Sequence, residues 1–225
     1  LASMPLGLAG VFMSGLALVP AEHRVSCHVQ VERAAAAYAR GELYAACNSE
    51  KGAGGALTNI TTRAELAADA FVLQGEKILA SGGENASMLF STAKVPDGAL
   101  QGSGPVEFFL IDAHAPGVEI LSDWDGFGMR STESQTVRYH GAPAELLGFP
   151  NFVEVVQPVQ YWFCLFAAIP LGCARAILSG IGTPTPSSPA LRLRLSEATM
   201  RYEALRAYLR ETAAEWHPEQ PAVLR

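Results

Sequence analysis

Cysteine, histidine and charge are all scarce in this chain. There are four cysteines in 225 residues. Cys27, Cys47, Cys164 and Cys173 form no C-x-x-C pair and sit in apolar or alanine-rich surroundings. That argues against a disulfide framework or a thiolate metal site, and reads as buried, reduced thiols in a cytoplasmic protein. Of the histidines, His23 and His28 are nearest, but their spacing does not put both on one helix face, and no third ligand accompanies them. Charged residues make up 17 % of the chain, and 16 Lys+Arg against 22 Asp+Glu leave a net charge of −6. A net acidic chain lacks the cations with which nucleic-acid binders displace phosphate counterions. Also missing are a P-loop, a G-x-G-x-x-G opening a helix after a strand, an H-E-x-x-H pair and a G-x-S-x-G elbow. Hydrophobic residues, at 49 %, exclude a disordered chain.

Residues 1–20 carry no charge, but Pro5, Gly7, Gly10, Gly15 and Pro20 interrupt them, and no basic segment or clear cleavage site accompanies them. They read as buried helix packed on the rest of the chain, not as a signal peptide or a membrane span. The second apolar run, Tyr161 to Ala174, contains Pro170 and ends at Arg175; it reads as a helix in a protein interior.

Between these runs the pattern changes twice. Residues 21–45 read as helix through the run Glu32 to Ala37, with a stop at Gly41. From Leu43 onward, strand-like segments alternate with turns: Phe71–Leu73, Lys77–Leu79, Met88–Phe90, Val106–Ile111, Val118–Leu121 and Thr136–Tyr139. Gly75, Gly82-Gly83, Pro96-Asp97-Gly98, the run Gly102 to Pro105, and Pro116-Gly117 supply the breaks. Strands at this spacing predict a sandwich or barrel of about 100 residues. Phe152 to Leu178 reads as one apolar helix, kinked or broken near Pro170. Gly180 to Pro189 is a proline-rich loop, and Leu191 to Trp216 shows a helical stripe. The predicted organisation is helical over 1–45, β over 46–150 and helical over 151–225.

Three segments carry the chemistry. Cys47 to Gly55, Gly75 to Ala86 and Asp123 to Ser134 set hydroxyls beside glycines on loops. Such loops either cap their own turns or bring N–H and O–H groups close to a flat or anionic ligand. In order and spacing they resemble the middle domain of the acyl-CoA dehydrogenase superfamily. The family pattern A-L-T-E-P-G-A-G-S-D lies over Cys47 to Ala56, G-x-K-x-W-I-T/S-N-G-x-x-A over Gly75 to Ala86, and G-x-R-x-S over Gly128 to Thr132. Gly41-Glu42 and the segment Leu171 to Ala176 resemble the family's flanking helical regions.

The resemblance implies an α+β fold, with a β-barrel middle domain between N-terminal and C-terminal helical segments. It also implies a flavin oxidoreductase using FAD, or FMN in its monooxygenase branch. The substrate would be a small molecule such as a CoA thioester, the full-length protein a homodimer or homotetramer, and neither nucleic acid nor membrane a partner. Hydroxyls at Ser49 and Ser81 would bond the polar edge of the flavin ring, as preorganised donors favouring its reduced form. Asn48 and Gly82 would add backbone contacts, and Gly55 and Leu79 complete the cofactor wall. Lys77 and Arg130 occupy motif positions as well, and in a plain reading are exposed strand cations.

The departures are specific. Leu79 stands where the family has Trp, Gly55 where it has Ser, and Lys51 where it has Pro. The loop from Gly180 to Pro189 has no R-x-F-G segment, and no carboxylate here is assigned as catalytic base; Glu203 and Glu211 read as solvated helix positions. A dehydrogenase, a flavin monooxygenase and a degenerate member serving as a binding module all remain open at this level.

Overall fold

The computed structural model describes residues 24–215 apart from 55, 68–69, 103, 157 and 182–187. The expectations for residues 1–20, for Gly55 and for most of the proline-rich loop lie outside the described residues. The chain divides into two compact units, one through Gln157 and one from Pro158.

The first unit opens with helix α1 (Arg24–Ala39). It stops where the sequence predicts: Gly41 takes φ +75°, and the Glu42 N–H bonds back to the Ala37 carbonyl at 3.0 Å. Helix therefore ends before 45, and strand begins at once with β1 (Leu43–Cys47). There follow β2 (Arg63–Ala67), β3 (Ala70–Ala80), β4 (Ala86–Lys94), β5 (Val106–Asp112), β6 (Val118–Ile120) and β7 (Gln135–Leu146). The pairings β4–β2, β2–β3, β3–β7, β7–β5 and β5–β4 close on themselves, so β2, β3, β4, β5 and β7 make a barrel. β1 adds parallel to β4 and β6 antiparallel to β7.

The interior is filled by small residues around a few large ones. Ala45, Ala64, Ala80, Ala93 and Ala142 alternate with Leu73, Leu89, Ile111 and Tyr139, all at most 1 % exposed. Phe71 and Phe109 meet edge to face at 5.3 Å. A narrow barrel needs this taper, since bulky residues from every strand would not fit.

Two differences from the sequence reading have clear causes. Gly75 was expected to break a strand, but Phe71–Leu73 and Lys77–Leu79 belong to one strand, β3. At φ +146° Gly75 stays in the ladder opposite Tyr139 and lies hard against Thr62, where an added Cβ would come within 2.8 Å of the Thr62 Cα. β2 was not foreseen at all, because Arg-Ala-Glu-Leu-Ala has helix propensity; five pairings with β3 override it.

Gln30 fixes α1 to the barrel. Its Nε2 donates to Glu145 Oε1 (2.7 Å) and the Leu146 carbonyl (2.8 Å), and its Oε1 accepts from the Gly148 N–H (2.7 Å). The barrel's last strand is thus tied to the helix that precedes its first.

Beyond β7 helix is described on both sides of residue 157, as α2 (Phe152–Val156) and α3 (Pro158–Ile181). Pro170, the expected break, lies inside α3. In the second unit α3 faces α4 (Pro189–Glu215). The stretch Phe163–Ile181 is long and apolar enough to cross a membrane, yet only 6 % of it is buried. Within its own unit the stretch is largely exposed, and α4 packs along one side of it.

Candidate functional site: the end of β3 and its two neighbouring loops

β3 sets the geometry. Counting alternately from Phe71 and Leu73, residues 77 and 79 would both point into the barrel. Lys77 does, with no exposed surface. Then the ladder slips: Lys77 pairs with Val137 but Ala80 with Gln135, so β3 carries one extra residue. That bulge turns Ala80 inward and throws Leu79 outward, 50 % exposed and at φ +60°. A left-handed leucine costs on the order of 1–2 kcal/mol, and half of the Leu79 surface stays exposed.

The loop after β1 docks on the same stretch. Ser49 bridges Ile78, whose N–H donates to the Ser49 carbonyl at 2.9 Å. Ser49, Leu79 and Ser81 are thereby brought to one end of β3. Asn48, beside Ser49, keeps its buried Oδ1 without a hydrogen-bond partner among the described residues.

Beneath this surface lies an ion pair. Lys77 Nζ donates to Glu50 Oε1 at 2.6 Å and to Thr92 Oγ1 at 3.2 Å. Glu50 also accepts from the Thr61 N–H, from Thr61 Oγ1 (2.7 Å) and from the Thr62 N–H (3.1 Å). Burial alone would raise the Glu50 pKa, but the ammonium and the threonine donors outweigh it and hold it at about 2. Burial lowers the Lys77 pKa, against the pull of Glu50. Lys77 is therefore not an exposed strand cation. It is a buried tie between the Ser49 loop and the barrel wall. Cys47 is equally enclosed, and burial pushes its thiol up to about 12, so it stays protonated and inert.

The third segment meets β3 through hydroxyls. Ser81 Oγ lies 2.8 Å from Ser134 Oγ, and Ser134 Oγ lies 2.8 Å from Thr132 Oγ1. Thr132 Oγ1 donates to the Met129 carbonyl at 2.8 Å. Gly82, at φ +75°, donates its N–H to the Thr132 carbonyl at 2.7 Å, and its own carbonyl accepts from Asn85. The Gly82 N–H and one lone pair of its carbonyl are thus engaged within the protein. Glu84 and Glu133 lace the two loops further, through Gln135 and Ser122 and through Asn85 respectively. Arg130, by contrast, is exposed and pairs with Asp125.

Leu79, Met129 and Glu133 all have positive φ, and all lie at this junction. Strained backbone gathers where a surface is shaped for something other than stability. The sequence motifs located the three loops, but not the Glu50–Lys77 tie or the Ser81–Ser134–Thr132 chain. The phase of β3 was a usable signal for the first. No group of three or more metal-ligating side chains occurs among the described residues.

Residues 45–141 match a family model described as the acyl-CoA dehydrogenase middle domain. The chain is similar to 3-sulfinopropanoyl-CoA desulfinase of Advenella mimigardefordensis, at 26 % identity over 220 residues, covering 89 % of this chain and 55 % of that protein. It is similar to dibenzothiophene monooxygenase of Rhodococcus erythropolis, at 29 % identity over 153 residues, 61 % of this chain and 36 % of that protein. The chain thus spans about half the length, or less, of these curated relatives. Among solved structures, FMN-bound TdsC of Paenibacillus sp. A11-2 superposes with a TM-score of 0.75 at 21 % identity, over 95 % of this chain and 58 % of that one. An acyl-CoA dehydrogenase of Geobacillus kaustophilus superposes at 0.64 and 18 % identity, over 78 % of this chain and 50 % of that one. These two likenesses concern the fold.

Proposed function

We propose that the chain belongs to the acyl-CoA dehydrogenase superfamily, whose middle domain its residues 45–141 match, and that it carries the barrel of a flavin-dependent oxidoreductase. The bulge that forces Leu79 outward between the Ser49 bridge and Ser81 carries this reading. It presents an apolar side chain flanked by two hydroxyl-bearing loops, which is the donor set a flat heteroaromatic ring with one polar edge requires. Bound there, FAD or FMN would supply hydride-accepting redox chemistry that no protein side chain offers.

The chain's own residues have three roles in this reading. Leu79 packs on the ring and excludes water from it. Ser49 and Ser81 fix the orientation of its polar edge. The Glu50–Lys77 pair holds the Ser49 loop at its distance from β3, because neither charge can leave the other while both are buried. We assign no carboxylate among the described residues as the base for α-proton abstraction. The substrate alternatives are accordingly an acyl thioester, oxidised by proton and hydride removal, and a small organic molecule, oxygenated at the same flavin. The exposed apolar side chains of α3 and α4 support a homodimer or homotetramer for the full-length protein.

Equilibrium titration with FAD and with FMN tests the reading. We expect a yellow complex with one flavin per chain, and Leu79→Asp should weaken it about tenfold or more while leaving the barrel folded. Absence of flavin binding by the wild-type protein would leave a non-catalytic binding module as the better reading.

A further inference from the structure

We infer that the far end of the barrel holds a second ligand site, a cavity whose Glu107 carboxylate receives the ammonium group of a small aliphatic amine. The site stands apart from the flavin reading. β4 starts beside the Ser81 loop and ends at Lys94, which pairs with Val106. The strand's nine residues set its two ends roughly 25 Å apart. At the Val106 end a cavity of about 140 Å³ opens among the Leu57–Asn59 turn, the start of β5 and α2. Leu57, Pro105 and Val106 give it apolar walls, and Glu107 and the exposed Glu154 line it as well.

Glu107 is the group that asks for a partner. It is 1 % exposed. Its Oε1 accepts from the Gly104 N–H at 2.8 Å and from the Asn151 N–H at 2.7 Å, while its Oε2 accepts from no donor among the described residues. No lysine, arginine or histidine among them steadies its charge. Glu50, the barrel's other buried glutamate, has the Lys77 ammonium at 2.6 Å besides its threonine donors. Burial therefore prevails at Glu107 and raises its pKa, whereas the donors prevail at Glu50 and lower it. A buried carboxylate without a counter-charge is costly, and this one borders a cavity. A cation entering there would do for Glu107 what Lys77 does for Glu50.

The walls select the kind of cation. A hard metal ion asks for a full shell of oxygens, which Leu57, Pro105 and Val106 do not offer, and no cluster of metal-ligating side chains occurs among the described residues. An ammonium asks for less. It donates three hydrogens, its charge is matched by one carboxylate, and its alkyl stem suits an apolar wall. Asn151 supplies a further acceptor on the same side: its Oδ1 lies 3.1 Å from where a Cβ on Gly104 would stand, against 3.9 Å for Glu107 Oε1.

Calorimetric titration of the whole chain with n-butylammonium chloride tests the inference, with n-butanol as the neutral isostere. The ammonium should bind with a dissociation constant of about 1 mM, and n-butanol about tenfold or more weakly. Glu107→Gln keeps an oxygen for the Gly104 and Asn151 N–H groups but removes the charge. It should weaken n-butylammonium about tenfold or more, with a thermal midpoint at or above that of the wild type, since no unpaired charge remains. Nα-acetyl-lysine amide carries the same ammonium on a bulkier stem and should bind less tightly; tighter binding overturns the small amine in favour of a lysine from another protein. Equal affinity for n-butanol, undiminished affinity in Glu107→Gln, binding of calcium chloride in place of the ammonium, or no binding by the wild type overturns the site. None of these outcomes touches the flavin reading, which its own titration decides.

Discussion

The barrel and the helix pair solve the same burial problem with opposite success. In the barrel, closure gives every interior side chain neighbours on all sides, and Leu73, Leu89, Phe109 and Val137 have no exposed surface. In the pair of α3 and α4, Phe163 is 56 % exposed, Ile177 61 %, Leu205 56 % and Tyr208 64 %, and α4 has no buried residue. A groove of about 590 Å³ lined by Phe163, Leu171, Leu205 and Tyr208 runs between the two helices. A closed sheet satisfies itself, whereas two helices bury one stripe each and leave the rest for other elements. Substitutions in the barrel should therefore be costly, and comparable ones in the helix pair should not.

The largest effect is expected at Lys77. Lys77→Ala strips Glu50 of its ammonium and leaves a buried carboxylate with only the Thr61 and Thr62 donors. Breaking one side of such a pair costs about 3–5 kcal/mol. Replacing both partners, as Glu50→Gln with Lys77→Met, should recover a good part of that loss, because no unpaired charge remains. Urea unfolding of the wild type and the two variants measures both effects. A single variant as stable as the wild type would mean that the pair ties nothing down.

The same pair predicts an acid dependence. Glu50 has a pKa of about 2 in the folded protein against an ordinary 4.5. Its contribution is fully present above the ordinary value and is lost as pH falls through about 2, where the carboxylate protonates in the fold as well. Lys77 is protonated in both states across that range and adds no slope. The loss should amount to about 3 kcal/mol. Unfolding midpoints between pH 5 and pH 2 should fall more steeply for the wild type than for the double variant.

How far the sequence foretold these features depends on how local their causes are. The stop of α1 at Gly41 and the switch from helix to strand near Leu43 rest on a few adjacent residues, and both were readable. The three loops were readable because their glycines and hydroxyls come in fixed spacings. The bulge was not: nothing in Lys77 to Ala80 marks an extra residue, which exists only relative to β7. The partner of Glu50 was also hidden, 27 residues away and on another element, although the strand phase set by Phe71 and Leu73 points Lys77 inward. The hydroxyl chain needs Ser81 and Ser134, 53 positions apart, to meet.

Gly75 sharpens the comparison within one strand. Gly75→Ala would place a Cβ 2.6 Å from Thr62 Oγ1 and 2.8 Å from its Cα, at φ +146°. A rotamer change can move the hydroxyl, but the Cα belongs to the backbone. Strain at such a site costs about 2–3 kcal/mol, enough to lower the barrel's thermal midpoint by several degrees. Calorimetry should also show whether Thr62, which with Thr61 cradles Glu50, loosens the ion pair; if it does, the Gly75→Ala variant will share the weakened acid dependence of the double variant.

The smallest effect is expected on the open helix face. Leu205 lines the groove between α3 and α4 but keeps 56 % of its surface exposed. Leu205→Gln exchanges one good helix former for another, so the helix itself loses little. The area taken from water at this position is small, and the polar tip can stay solvated. In the protein on its own, the change in unfolding free energy should stay within about 0.5 kcal/mol. The same exchange at Leu73, which has no exposed surface, should cost several times more, since an amide would enter the barrel without a partner. Measured side by side in denaturant, the two variants separate a face that is filled from one that is open. A loss at Leu205 as large as that at Leu73 would mean that the groove is closed in solution by another part of the protein or by a second copy of it, and sedimentation at two concentrations would tell these apart.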